Sequence, residues 1–142
     1  MANTLYPLWK QALMQEAAVN KSLDQVAPNG VYVSLVTIAS GYIYSPAHQF
    51  YTSITNVQGT PTIIPTTTVV GSVFNGGSVV FTAVSGTAIG AVVLTRQSTG
   101  ANSTWRLVSY EDTGFVGFPA TPNGGNLVLY WNTNGIFQLG SS

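Results

Sequence analysis

The middle of the chain, from Ser78 to Thr113, contains short β-rich runs with a period of two, in which Val79, Phe81 and Ala83 fall on every second position. Side chains of a β-strand point alternately to opposite faces, so this pattern predicts strands. The polar segment Gln97–Ser103 contains a glycine and joins two β-rich runs into a predicted antiparallel hairpin. Both faces of the first run are apolar, and we expect both to be covered by a chain that packs around this stretch. The predicted strands are Ser78–Ala83, Ala88–Arg96 and Thr104–Asp112.

At the start of the chain, from Leu5 to Ala17, apolar residues recur every three or four positions, which is the spacing of an α-helix. The period predicts one amphipathic helix at about Leu5–Val19. Thr4 is its predicted N-cap, and Pro7 falls in the first turn, where the missing N–H costs little. We expect the apolar stripe to dock on the domain's own sheet, with docking on a partner as the alternative.

Shorter β-rich runs between glycine and proline turns fill the rest of the chain. Val31–Ala39 is a predicted strand, whereas Thr60–Val70 holds two prolines and is expected at an edge or in a bent connection. One helix followed by about seven short strands predicts a single all-β domain over residues 1–142, a sandwich or a jelly roll. The other predicted segments are irregular at Ser45–Ile54, a loop at Gly114–Gly125, and β-rich at Asn126–Asn132 and Ile136–Leu139.

Charge is scarce in this sequence. Charged residues make up 6% of the chain, where an ordinary soluble domain carries about 25%. None occurs between Gln25 and Thr95, although β-proteins usually guard their sheet edges with charges. We therefore expect other chains to cover much of the surface and predict self-association, with a symmetric dimer as the commonest closed form. The alternative is that Thr, Ser, Asn and Gln supply enough polarity alone.

The same composition excludes several classes of function. The net charge is zero and no basic stripe is present, so we expect no nucleic-acid partner. The chain has no cysteine for disulfides or thiolate metal sites. Glycine and hydroxyl residues interrupt the apolar run Val79–Leu94, so no membrane span is predicted, and we expect no signal peptide.

Candidate catalytic residues are few, since His48 is the only histidine. Ser45 lies close to it in sequence and Asp24 could orient the ring, but no nucleophile elbow surrounds the serine. We predict no catalytic residues and no enzyme.

The carboxylates also fail to form a predicted site. Glu111 and Asp112 are adjacent on a strand, so they point to opposite faces and cannot act together on one substrate. We expect them to solvate the strand end or to pair with Arg106. With one histidine and scattered acids, we predict no metal site and no cofactor.

Aromatic side chains are the remaining chemical resource. Trp105, Tyr110 and neighbouring aromatics could stack on sugar rings, although aromatics that alternate in strands are more often core residues. A second group, Phe115, Val116 and Phe118, falls in the predicted loop. We predict that these three anchor a partner protein, and the alternative is that they fold back and cap their own sandwich.

Short groups of residues recur in a characteristic order in two parts of the chain. The first part is Asn3-Thr4-Leu5-Tyr6 and then Tyr44-Ser45-Pro46-Ala47-His48-Gln49-Phe50. The second comprises Trp105-Arg106-Leu107-Val108, Asp112-Thr113-Gly114, Thr121-Pro122-Asn123-Gly124-Gly125, Trp131-Asn132 and Ile136-Phe137-Gln138-Leu139. In order and spacing these groups resemble small structural proteins of tailed bacteriophages. Short members of this kind look like capsid cement, or decoration, proteins.

The resemblance implies a jelly-roll-like sandwich that clamps neighbouring major capsid subunits from outside, often as a dimer, and that has no catalytic residues. It also implies synthesis in the host bacterial cytoplasm and a place on the outer surface of the virion. A carbohydrate-binding sandwich on the virion and a tail or baseplate component are the alternatives. The family often has acids after the first strand and beside the residue matching Trp131, where this chain has Thr37–Ser40 and Asn132. A contact that depends on those acids does not carry over.

Overall fold

The computed structural model describes residues 3–15, 23, 29–37, 41–98, 101–113, 115 and 118–138. These residues form antiparallel β-sheets and one short N-terminal helix, which confirms the predicted all-β class. Two single 3₁₀ turns lie at Tyr51–Ser53 and Asn102–Thr104. The elements are β1 (Thr4–Leu5), α1 (Pro7–Gln15), β2 (Gly30–Thr37), β3 (Val57–Ile63), β4 (Thr68–Val70), β5 (Val73–Asn75), β6 (Val79–Phe81), β7 (Ile89–Gln97), β8 (Arg106–Glu111), β9 (Leu127–Leu129) and β10 (Phe137–Gln138).

The larger layer is a five-stranded sheet in the order β1-β8-β7-β2-β3. Its centre is the long pairing of β2 with β7, which runs from Gly30 opposite Gln97 to Thr37 opposite Ile89. Nearly every residue of both strands is buried. The predicted antiparallel hairpin of β7 and β8 is confirmed, with Val92 opposite Glu111.

The second layer consists of two smaller sheets, β10-β5-β4 and β6-β9. The two pairings are nested along the chain. β5 pairs with β10, and the next strand, β6, pairs with the preceding one, β9. Phe74, Phe81 and Leu129 of this layer are buried in the same hydrophobic core as Val33 and Leu35 of the larger sheet. The two layers therefore share one core.

The N-terminal helix begins later than predicted. Thr4 is not an N-cap, because Thr4 and Leu5 pair with Tyr110 and Ser109 as strand β1. The helix then starts at Pro7, which needs no N–H partner in a first turn. Its predicted last residues, 16–19, lie outside the described part of the chain.

The helix docks on its own domain, as predicted. Trp9 is buried in the common core and Ala12 is 3% exposed. No helix in the described part of the chain is long and apolar enough to cross a bilayer.

The first strand of the central stretch is shorter than the predicted Ser78–Ala83 and departs from the prediction in its burial. β6 pairs with β9 in the second layer. It is covered on one side only, since Val79 and Phe81 are buried while Val80 is 46% exposed. The connection to β7 contains Ala83 and Gly86 at positive φ, where the chain crosses between the layers.

The segment Thr60–Val70, which contains two prolines, was predicted to lie at a sheet edge or in a bent connection. Residues 60–63 belong to β3, the last strand of the large sheet, so the edge position is confirmed for them. The chain then turns at Pro65 and Thr66 and returns as β4, the last strand of the second layer.

Candidate functional site

Three segments meet along the outer side of β8. Asn3 Oδ1 accepts hydrogen bonds from the backbone N–H groups of Asp112 and Thr113, at 2.8 and 3.0 Å. Further along the strand, Leu107 N–H donates to Gln49 O at 2.9 Å, and Tyr51 N–H donates to Trp105 O at 2.8 Å. These contacts join residue groups that carry the resemblance noted above. Those groups hold the sheet edge together.

At the end of β8 a cleft opens between the two layers, with Glu111 in its wall. Two adjoining cavities, of about 170 and 260 Å³, both contact Asn3, Glu111 and Ile136. We call them together the Glu111 cleft. The remaining lining residues are Thr4, Leu5, Ser109, Phe137 and Gln138 on one side and Thr113, Phe115, Trp131, Asn132 and Gly135 on the other.

Glu111 is buried, with 4% of its surface exposed. Ser109 Oγ lies two residues earlier on the same face of β8 and donates a hydrogen bond to Glu111 Oε2 at 3.1 Å. The strand neighbour opposite Glu111 is the fully buried Val92. Burial raises the pKa of the Glu111 carboxyl to about 7, although the hydrogen bond from Ser109 acts to lower it.

The expectation that Glu111 solvates the strand end or pairs with Arg106 is wrong. Residues on β8 alternate in direction, and the position that faces the layer interface is Glu111. Arg106 lies five residues away, or roughly 16 Å along a strand. Its guanidinium carbon lies 4.9 Å from the centre of the Phe50 ring.

Phe115, Phe118 and Trp131 form an aromatic wall beside the cleft. The rings of Phe115 and Phe118 are 5.1 Å apart, and Phe115 meets Trp131 edge to face at 5.7 Å. The Trp131 indole N–H donates to Gly77 O at 3.0 Å, which fixes the ring against the second layer. Both phenylalanines are half-buried against the core. Val116, the third predicted anchor residue, lies outside the described residues, and the partner-binding role of all three stays a prediction.

An outer groove lies on the other side of this wall. It has a volume of about 520 Å³. The exposed fractions of Val128 and Tyr130 are 40% and 69%, and Val80, opposite Val128, is 46% exposed. The groove is lined by Phe115, Val128, Leu129, Tyr130, Trp131, Asn132 and Thr133.

The strands of the second layer contain no charged residue. The strands of the second layer come from residues 68–81 and 127–138, and neither stretch contains Asp, Glu, Lys or Arg. The charged residues that the structure describes lie on α1 or at the β7–β8 hairpin. The outer face of the second layer is therefore uncharged.

His48 belongs to a hydrogen-bonded tyrosine cluster. The hydroxyl groups of Tyr6 and Tyr42 are hydrogen-bonded to each other, with 2.6 Å between their oxygens. The Tyr42 hydroxyl is also hydrogen-bonded to His48 Nδ1, at 2.7 Å. Burial raises the pKa of both tyrosines. Ser45 contacts His48 through its backbone carbonyl, which accepts the His48 N–H at 3.0 Å. Asp24, suggested to orient the ring, lies outside the described residues.

The aromatics considered for sugar stacking pack against other rings of the chain. Tyr110 lies 5.7 Å from Tyr44 and 6.2 Å from Tyr42, between ring centres. Trp105 meets Tyr51 edge to face at 5.5 Å, and its indole N–H donates to Ser98 O. Within the described residues, no three His, Cys, Asp or Glu side chains group as metal ligands.

Sequence reasoning missed the Glu111 cleft and the outer groove. An acid two residues from a serine, within a strand of buried residues, was the available signal for the first. The valines at the middle positions of β6 and β9 were the signal for the second, but their exposure depends on which strands pair. No protein-family model matches the chain, and no curated protein matches it in sequence.

Proposed function

We propose that this protein is a non-enzymatic structural component of a bacteriophage particle, a cement protein that binds neighbouring major capsid subunits from outside. The resemblance described above suggests this class. The geometry that supports it best is the uncharged outer face of the second layer.

That face has the composition of a protein–protein interface. Interface centres are depleted in charge and enriched in aromatic residues. Val80 and Val128 project outward as a cross-strand pair, and Tyr130 follows on the same face two residues after Val128. Exposed apolar patches of this kind, rimmed by polar residues, mark interaction sites. Asn132 and Thr133 supply part of the polar rim.

A cement protein acts through multivalency. Each copy that bridges two subunits makes the second contact intramolecular, so modest contacts add up to strong retention on the shell. Capsids that carry the protein should therefore resist heat or force that breaks capsids without it.

The experiment compares particles with and without the protein. DNA release is followed by a fluorescent dye during heating, and copy number is read by electron microscopy. We expect release at a lower temperature without the protein, and restoration when purified protein is added back. Equal robustness with and without it would remove the basis for the proposal.

Matched variants test the outer groove. Val128→Lys introduces a charge at the centre of the proposed interface, where desolvation is costly, and we expect at least a tenfold loss of capsid binding. Ile43→Lys is the control, because Ile43 is 82% exposed and is not part of the groove. Both variants should keep the melting temperature of the wild-type protein. If Ile43→Lys weakens capsid binding as much as Val128→Lys does, the grip lies elsewhere.

Self-association is a second part of the proposal, with β4 as the edge involved. β4 ends its sheet, all three of its residues are exposed, and Val70 is 74% exposed. An uncharged open edge is a template for pairing with another strand. Sedimentation at micromolar concentration should detect a dimer that Val69→Pro disrupts, because Val69 lies between the paired positions Thr68 and Val70 and its N–H points away from β5. A monomer at all concentrations would mean that capsid subunits alone cover this edge.

The same experiments separate the two alternatives. Density on the tail or baseplate instead of the head would indicate a tail component. A glycan array that shows saturable binding, lost on Trp105→Ala without loss of fold, would indicate a carbohydrate-binding module.

A further inference from the structure

Glu111 presents a buried carboxyl to a cavity. The residue is 4% exposed, yet it contacts both cavities of the Glu111 cleft. Among the described residues, Ser109 Oγ is the hydrogen-bond donor that the structure places on this carboxyl. An ionised carboxylate in such a position is costly unless further donors or a cation reach it.

The opposite wall of the cleft supplies no cation. It comes from residues 115–138, which contain no Lys, Arg or His. On β8 itself, the Arg106 guanidinium lies over the Phe50 ring, roughly 16 Å along the strand from Glu111.

Two asparagine side chains of the cleft, those of Asn3 and Asn132, are already engaged within the protein. Asn3 Oδ1 accepts three hydrogen bonds, from Asp112 N, Thr113 N and Thr113 Oγ1. Asn132 Oδ1 accepts from Asn134 N at 2.9 Å. A sugar needs several donors and acceptors arranged around its ring, whereas the dominant group among the described lining residues is the carboxyl of Glu111, their only acidic side chain. A single positive group fits that chemistry better.

The aromatic wall favours the same ligand. Phe115 and Trp131 line the larger cavity beside Glu111, and their rings meet edge to face. A cation near aromatic rings is attracted by their π-electrons, and more strongly where water is excluded. The larger cavity, of about 260 Å³, has the volume of roughly eight or nine water molecules. That is space for an extended side chain.

We propose that the Glu111 cleft receives a lysine or arginine side chain from a neighbouring major capsid subunit. The identity of that donor rests on the proposed function. The guest cation would complete the pairing of a carboxylate that Ser109 alone leaves partly satisfied, while its methylene groups contact Phe115 and Trp131. Apolar contacts in the outer groove and one ion pair in the cleft would then lie on either side of the same aromatic wall.

The first test uses the isolated protein and small probes. Nα-acetyl-lysine methylamide and Nα-acetyl-arginine methylamide are titrated while the Trp131 indole N–H and neighbouring amides are followed by NMR. Nα-acetyl-norleucine methylamide is the uncharged control. We expect saturable shifts with a dissociation constant on the order of millimolar for at least one cationic probe. Comparison of the two probes distinguishes an ammonium guest from a guanidinium guest.

Glu111→Gln should lower the affinity for the preferred probe by a factor of about ten or more, which is the loss expected for one charge-assisted hydrogen bond. Asp112→Asn is the matched control, since it removes the same charge one residue further along, and it should leave binding unchanged. An absence of saturable binding would refute the proposal. So would equal binding by norleucine, insensitivity to Glu111→Gln, or preferential binding of a neutral sugar.

Capsid binding then separates this inference from the proposed function. If wild-type protein and Glu111→Gln bind capsids equally, the cleft is not the receptor while the cement function stands. If wild-type protein does not bind capsids at all, the cement function fails, whatever the probes do.

Discussion

Replacing Glu111 by glutamine should remove a pH dependence of stability that the wild-type fold carries. The reference pKa of 4.5 rises to about 7 on burial. Between these values the native state holds a proton that the unfolded state has released, so stability falls as pH rises through that window. Below about pH 4 the carboxyl is protonated in both states and the penalty disappears.

The size of the effect follows from the same two values. Each pKa unit is worth 1.36 kcal/mol, so the raised pKa of Glu111 lowers the free energy of unfolding by about 3 kcal/mol at pH 8 and above. Glutamine has nearly the same shape and can accept the hydrogen bond from Ser109 through its amide oxygen. Glu111→Gln should therefore be more stable than wild type at pH 8, with a melting temperature higher by roughly 10 °C, and similar to wild type at pH 4.

Urea unfolding of both proteins from pH 4 to pH 9 measures this difference directly. Other titrating groups contribute equally to both proteins and cancel in the comparison. Asp112→Asn, which removes the neighbouring carboxylate, should retain the wild-type loss of stability between pH 5 and pH 8. The reasoning is refuted if Glu111→Gln and wild type show the same pH slope, or if wild type gains stability over that interval.

Three further predictions concern the rest of the molecule. Tyr42→Phe should lower the free energy of unfolding by about 1–3 kcal/mol, because it deprives the buried Tyr6 hydroxyl of its partner. Adding Tyr6→Phe to this variant should lower the free energy of unfolding little further. Urea denaturation of the two single variants and the double variant measures both effects. Asn3→Ala removes the acceptor for two backbone N–H groups and should cost about 1 kcal/mol or more, with faster amide exchange at Thr113 as the diagnostic signal. Phe118→Ala should cost about 1–2 kcal/mol in thermal unfolding, since the ring is half-buried against Phe115; no loss would mean that the aromatic wall contributes nothing to the fold.

The large sheet could be predicted because its central strands are long. β7 and β8 together span Ile89–Glu111, so their β-rich runs were easy to recognise and the intervening polar segment identified the hairpin. Strands of two or three residues carry no such signal. Thr4 and Leu5 form a strand only because the edge of β8 is there to accept them, and the same two residues also suit a helix entry.

The candidate site was less accessible to sequence reasoning. The alternation of side chains along a strand predicted that Glu111 and Asp112 point to opposite faces. It could not predict which of these faces the second layer covers. That depends on the pairing of β6 with β9, between residues almost fifty positions apart. Phe115 stood out as an aromatic in a loop, whereas its edge-to-face contact with Trp131 is a product of the tertiary fold.

Strand β1 has a consequence for how the protein folds and is handled. It is two residues long, and its pairing closes a loop of more than a hundred residues, between Thr4 and Tyr110. Closing so long a loop is entropically costly, so this pairing is expected to form late and to open first by local unfolding. Each opening would expose backbone donors and acceptors of β8 as a template for a strand from another molecule. A truncation that removes β1 would make that exposure permanent.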